Sequence, residues 1–303
     1  MKILKFAAID IGSNAIRLFF ANVIEDELGV EIRKESLIRN ALRLGDDAFI
    51  HQEISPEKVE RFVNLMRAYK YLIAAEQPIA FRTCATSAMR DSKNSAEIVE
   101  RVKREVGLQI DVIDGSEEAK MIYLNEPNLE LNDDDEAFLF MDIGGGSIEL
   151  TLLFNDEIIN SKSFNLGTIR QLNNLYSKGE FKEMEAWVKK CKKDYKIIQL
   201  IGSGGNINKI SKIIGNRLKD GSNKVTHREL NKLYGILSSY TYEQRICILG
   251  LNPDRADVII PAIETFLKVM KWSGSKTIQI PTIGVSEGII RQLYTQYKEQ
   301  HPE

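Results

Sequence analysis

Three cysteines in 303 residues, Cys84, Cys191 and Cys247, are too few and too scattered for a disulfide framework, and their number is odd. A reducing, cytoplasmic setting is expected. The three histidines, His51, His227 and His301, are equally dispersed, and no cysteine pair accompanies them, so zinc-site spacing is lacking. Any metal is expected to be a hard cation on carboxylates. No apolar stretch is long enough to span a bilayer. Lys2 and Lys5 precede only a short apolar run, Phe6-Ala7-Ala8-Ile9, too little for the centre of a signal peptide. Excess charge is missing too. A net charge of −2 gives no whole-molecule field that would gather a nucleic acid. Neither nucleic acid nor membrane is expected as a partner.

What is present is an ordinary globular composition, 43% hydrophobic and 28% charged, in a chain long enough for two domains. One short phrase occurs twice. Residues 9–18 read Ile-Asp-Ile-Gly-Ser-Asn-Ala-Ile-Arg-Leu, and residues 141–150 read Met-Asp-Ile-Gly-Gly-Gly-Ser-Ile-Glu-Leu. Each follows an apolar run. A buried strand that ends in Asp and turns through Gly and Ser can cradle phosphate on its backbone N–H groups and hold a cation on its carboxylate.

The surrounding pattern repeats as well. Strands are expected at 3–11, 16–24 and 30–38, then a helix from Ser55-Pro56-Glu57, a strand at 78–83, a helix at 94–106, a strand near 110–113 and a helix from 116. After a polar, acidic linker at 127–135, strands are expected at 137–143, 148–154 and 157–165. Helices at 168–176 and 181–194, a strand at 197–201, two or three helices over 227–272, a strand at 276–281 and a helix at 285–298 complete the chain. Three strands, a helix, a strand and more helices, twice over, give a duplicated α/β fold. The domains are set at 1–127 and 128–303, and the last helix either stays with the second or packs back on the first.

The candidate chemistry lies in loops. Gly12, Ser13 and Asn14 form the first, and Gly144, Gly145, Gly146 and Ser147 the second. A lone Asp-x-Gly fits a hairpin turn, but three consecutive glycines exceed a hairpin's needs and clear Cβ atoms from a surface that something approaches. A third loop, Gly202-Ser203-Gly204-Gly205-Asn206, joins an apolar strand to a helix, which suits either an anion or tight packing of strand on helix. In Asp114-Gly115-Ser116-Glu117-Glu118, Gly115 or Ser116 is expected to cap a helix with two acids in its first turn. That is good helix chemistry, and it also places a carboxylate where it can work as a general base. Thr86-Ser87-Ala88-Met89-Arg90 offers hydroxyls and one guanidinium for phosphate oxygens, or simply surface N-caps. Lys189, Lys190, Lys192, Lys193 and Lys196 form either a solvated helix face or a strip for a polyanion.

Together these motifs resemble the exopolyphosphatase and guanosine-pentaphosphate phosphohydrolase family of the actin-like ATPase superfamily. The resemblance runs over nearly the whole chain. It rests on residues 8–14, 85–90, Gly115-Ser116-Glu117-Glu118-Ala119, 141–150, Leu166-Gly167, 202–205 and 255–259. It implies two duplicated actin-like (ribonuclease H-like) domains about a cleft. It also implies release of terminal phosphate from inorganic polyphosphate or guanosine pentaphosphate with Mg²⁺ or another divalent cation. Glu118 matches the family's catalytic base, and Asp142 and Glu149 match carboxylates near the metal. Arg90 matches a basic residue at the phosphate. In this reading Asp142, with Asp10 or Glu149, holds the cation, and Arg17 assists Arg90. The longest family members carry a further C-terminal helical domain that this sequence lacks, so a weaker grip on long polymers is expected. Nucleotide binding at 202–206 and a homodimer are further expectations. The rival readings are a phosphotransferase with an acceptor pocket and a nucleotide or polyphosphate sensor.

Overall fold

The computed structural model describes residues 1–27, 29–123, 136–155, 157–195, 197–215, 223–281 and 284–302. The chain divides into two compact units. One comprises Met1–Glu126 with Ile283–Glu303, the other Pro127–Thr282. The last helix therefore belongs to the first unit.

The first unit runs β1 (Lys2–Ile11), β2 (Ile16–Asp26), β3 (Gly29–Asn40), α1 (Leu44–His51), α2 (Pro56–Glu76), β4 (Ala80–Ala85), α3 (Ser87–Arg90), α4 (Ser95–Val106), β5 (Asp111–Val112) and α5 (Gly115–Tyr123). The second holds β6 (Glu136–Ile143), β7 (Ile148–Phe154), β8 (Glu157–Phe164), α6 (Thr168–Leu172), α7 (Lys178–Asp194), β9 (Ile197–Ser203), α8 (Gly204–Ile214), β10 (Asn223–Thr226), α9 (His227–Ser239), α10 (Tyr242–Cys247), α11 (Pro253–Ala256), α12 (Ile259–Ser273) and β11 (Thr277–Ile280). The chain closes with α13 (Val285–Gln300).

The sheets share one plan. The first has the order β3-β2-β1-β4-β5 and the second β8-β7-β6-β9-β11-β10. In each, three antiparallel strands form a meander, and the next strand pairs parallel with the first of them. This is the duplicated α/β architecture that the repeated phrase predicts.

The apolar run Phe6–Ile9 is completely buried. β1 lies between β2 and β4, where both of its faces are covered and side-chain alternation gives way to a continuous apolar run. The edge strand β3 is largely exposed and carries Glu31, Arg33, Lys34 and Glu35, charges that blunt an open edge. α13 sets Ile289, Ile290 and Leu293 against Phe6, Phe19 and Val23 of the first sheet. The second unit has its own core, in which Leu139, Leu150, Val188, Ile210, Ile263 and Phe266 are buried. No described helix is long and apolar enough to cross a membrane.

The expected elements are present with shifted ends, and short ones are added. α1, α3 and β10 have too few residues to show a period. α7 begins at Lys178 rather than 181, because the Ser177 side chain accepts from Gly179 N and caps it. The span 227–272 holds four helices, α10 set off from α9 by a capping box on Thr241 and Gln244. The acidic loop 127–135 and Lys196 lie outside the described residues. Lys189, Lys190, Lys192 and Lys193 form an exposed face of α7, where Lys189 pairs with Glu185 one turn away.

Candidate functional site

In the first unit β1 delivers Asp10 to the end of the sheet. The hairpin register sets Arg17 directly opposite, and the two form an ion pair. Gly12 N donates to Ala15 O at 3.2 Å and closes the turn. A Cβ at Gly12 would sit 3.1 Å from that same oxygen, so any larger residue would press on the turn's closing carbonyl. The carbonyls of Ser13 and Asn14 accept from Gly45 N and Arg43 N at 2.8 and 3.1 Å. The Oγ atoms of Ser13 and Ser87 lie 2.8 Å apart in a buried contact that ties the loop to α3. Thr86 and Ser87 are therefore buried beside the loop and are not surface caps.

The helix that carries the paired glutamates is capped by Asp114, not by Gly115 or Ser116. One Asp114 oxygen accepts from Ser116 N and Glu117 N, both at 2.8 Å. Those two bonds, the one from Glu117 foremost, hold the Asp114 carboxyl below its ordinary range. The cap separates the glutamates. Glu117 turns to Arg82, whose Nη2 donates to it at 2.9 Å, and is 40% exposed at the side chain. Glu118 is buried, with Arg90 Nη1 at 4.0 Å from its Oε2. Arg90 Nη1 also donates to Ile113 O at 2.9 Å, which aims the guanidinium at the start of this helix.

α13 braces the same helix. A Cβ at Gly288 would overlap the carbonyl of Met121, in the helical turn after Glu118. Gly288→Ala is expected to cost about 1–3 kcal/mol, because backbone stands in the way and no side-chain rotation relieves it. Differential scanning calorimetry checks this, and an unchanged transition would show that the two helices are not locked there. One residue that sequence reasoning missed begins α13. Burial pushes the Glu287 carboxyl above its ordinary value, opposed in part by a backbone hydrogen bond at the helix start and by the charge of Arg17. The signal was Gly284-Val285-Ser286-Glu287, a glycine-started helix with an acid in its first turn.

The second unit repeats the loop with different chemistry. Gly144 N donates to Ser147 O at 3.0 Å, the counterpart of the Gly12 bond. The three glycine carbonyls are then bound by a helix start. Gly167 N, Thr168 N and Ile169 N donate to Gly146 O, Gly144 O and Gly145 O at 3.1, 3.0 and 2.9 Å. A Cβ at Gly167 would overlap the backbone of Gly145 and Gly146. What comes close to the glycine triplet is thus Gly167. These bonds use the loop's carbonyls, not the N–H groups of Gly145 and Gly146.

Where the first unit pairs Asp10 with Arg17, the second sets Asp142 opposite Glu149. Glu149 is buried and accepts from Ser163 Oγ at 3.0 Å. Asp142 also neighbours Ser203 across the parallel pair β6–β9. Gly204 has φ +86°, and a Cβ there would overlap the Asp142 carboxylate, so that carboxylate rests against the N-terminus of α8. Gly202 serves packing instead: its Cβ would meet Ile278 and Ile207 at 2.9 and 3.0 Å. Asn206, the last residue of the third loop, latches it. Its Nδ2 donates to Ile143 O at 3.1 Å, and Arg255 Nη1 donates to its Oδ1 at 2.7 Å.

Among the described residues no three His, Cys, Asp or Glu side chains form a ready-made cation cage. A magnesium ion needs less, one or two carboxylates plus water and phosphate oxygens. Asp142 and Glu149 fit that. The buried Ser203 Oγ beside Asp142 has no hydrogen-bond partner among the described residues, as expected where a polar group binds. Asp10 fits less well, since Arg17 already engages its carboxylate.

A family profile described as "Ppx/GppA phosphatase family" matches residues 32–296. The chain belongs to the Ppx/GppA phosphatase family. It is 30% identical over 296 residues to a bifunctional 3-dehydroquinate synthase/phosphatase of Fusobacterium nucleatum, covering 90% of this chain and 44% of that protein. A guanosine-5'-triphosphate,3'-diphosphate pyrophosphatase of Aeromonas hydrophila is 24% identical over 301 residues, covering 95% of this chain and 59% of that one. The chain thus spans roughly half the length of these two relatives. Among solved structures, an exopolyphosphatase from Cytophaga hutchinsonii shares the fold with a TM-score of 0.83 at 23% identity, covering 96% of this chain and 98% of that one. Family membership and the duplicated α/β fold agree with the resemblance read from the motifs.

Proposed function

We propose that the chain hydrolyses a terminal phosphoanhydride bond, with inorganic polyphosphate as substrate and Glu118 as general base. The observation that carries this is the separation of the two glutamates. Glu117 is held by Arg82, whereas Glu118 is buried beside the guanidinium of Arg90. A carboxylate fixed at a helix start next to a phosphate-binding cation suits activation of water.

In this reading the water oxygen attacks the terminal phosphorus as Glu118 takes its proton. The bond from that phosphorus to the bridging oxygen breaks, and the oxygen leaves with the electron pair on the shortened chain. In the first unit Arg90 stabilises charge on the transferred group and the loop Gly12–Asn14 positions phosphoryl oxygens; in the second the loop Gly144–Ser147 is a like phosphate-binding turn. Such transfer depends on position and electrostatics more than on a covalent intermediate, so no cysteine or histidine nucleophile is needed. Asp142 and Glu149 would hold Mg²⁺ or another divalent cation, which when bound supplies neutralising charge. The buried, unpartnered Ser203 Oγ supports a polar occupant beside Asp142.

Guanosine pentaphosphate is the second reading, favoured by the name of the Aeromonas relative. Phosphate release from defined polyphosphates and from guanosine pentaphosphate, at equal concentrations of terminal phosphate, separates the two. Release from neither, with and without magnesium, would overturn the proposal.

The carboxylate pair gives its own test. Saturating Mg²⁺ is expected to raise the stability of the wild type by about 2–3 kcal/mol at a hundredfold excess over its Kd. In Glu149→Gln this gain should largely vanish, because the amide cannot supply the carboxylate charge. An equal magnesium response in both proteins would remove Glu149 from the cation site.

A further inference from the structure

We propose that the first unit carries a second binding site, a cavity of about 930 Å³ at β4, α5 and α13, that takes a small aromatic carboxylate. The cavity is lined by Arg291 of α13. Arg291 makes no side-chain hydrogen bond or ion pair among the described residues, and its Nε is buried without a partner. Burial holds its guanidinium below the ordinary value, and no carboxylate offsets the shift. Two of the neighbouring acids are already engaged, since Arg82 binds Asp111 and Glu117 at 2.8 and 2.9 Å. Arg291 lines the cavity, so an anion entering there would meet its guanidinium.

The rest of the lining selects the ligand. Phe81 is 39% exposed although β4 is an inner strand. β5 pairs only with Cys84 and Ala85, so the strand is uncovered at Phe81. Its ring provides a flat apolar surface on which another ring can stack. Three carboxylates, Asp111, Glu117 and Glu299, line the cavity against two guanidinium groups. That net negative lining repels a multiply charged phosphate more strongly than a monoanion, which can pair with the Arg291 guanidinium. The site is therefore chemically unlike one built for a polyanion, and it stands independently of the proposed hydrolase reading.

Saturation-transfer NMR with benzoate, adenosine monophosphate and inorganic phosphate tests the site without any substrate. Benzoate is expected to bind saturably at millimolar concentration, and the two phosphates much more weakly. Arg291→Gln should weaken benzoate by roughly tenfold or more, the usual size of a lost charge-assisted bond. Phe81→Ser alters an exposed side chain and should weaken it as well. Near-UV circular dichroism confirms the fold, and Phe81→Ser carries the test if Arg291→Gln unfolds. Benzoate binding unchanged in the folded variants, tighter binding of either phosphate, or no saturable binding would each overturn the proposal.

Discussion

Replacing Glu118 with glutamine is expected to lower kcat for phosphate release by roughly 10²-fold or more, with little change in KM. The two residues have nearly the same shape, so burial beside Arg90 is kept and only the capacity to take a proton is lost. The neighbouring substitution makes the comparison decisive. Glu117→Gln alters the same helical turn and the same net charge, yet the side-chain contact it changes among the described residues is that to Arg82. That ion pair is partly exposed, so its loss should cost no more than about 1 kcal/mol, and kcat should stay within about threefold of wild type. If both variants lost activity equally, the helix start and not the carboxylate of Glu118 would be the feature that matters. If Glu118→Gln kept near-wild-type turnover, the assignment of the base would be wrong. Single-turnover phosphate release, with calorimetric melting of each variant, provides the measurement.

The two hairpins were legible in the sequence because each is built from contiguous residues. A buried strand, an Asp at its end and a glycine turn recur in register at Asp10 and Asp142, and the structure closes both turns with the same backbone bond. The exchange of Arg17 for Glu149 was legible for the same reason, since a hairpin register follows from the loop length. What was not legible came from distant parts of the chain. Nothing near Glu117 and Glu118 says which of them turns to Arg82, because Arg82 lies on a strand four elements earlier in the chain. The cap at Asp114 displaced the expected Gly115 or Ser116, since any of the three suits a helix start by type alone. Arg291 sits within a helical pattern like many solvated arginines. Only tertiary packing shows that its Nε has lost water without gaining a partner.

The glycine triplet shows how a correct signal can carry an incomplete cause. Three glycines in a row do mean that something comes close, and the structure identifies one such neighbour as Gly167. Gly167→Ala is therefore expected to be among the most damaging single-methyl additions in the chain. The backbone of Gly167 has φ −60° and ψ 159°, which alanine adopts readily, so no conformational strain contributes. The whole effect is steric, and the obstacle is backbone on both sides. Overpacking of this kind costs about 1–3 kcal/mol, which lowers Tm by roughly 3–10 °C for a unit of this size. The functional loss should be larger than the stability loss suggests. The loop that must retreat holds Gly144 to Ser147 and begins at the strand end that carries Asp142. A displacement near 1 Å in a positioned group can cost about 10²-fold in rate. Gly179→Ala is the matched control: its Cβ would sit 3.4 Å from Ser177 Oγ, an ordinary contact on an exposed helix start. It should change stability by no more than about 0.5 kcal/mol and leave turnover alone. Should Gly167→Ala melt and turn over like Gly179→Ala, the close approach would not constrain the loop, and the triplet's purpose would have to be sought entirely on its N–H side.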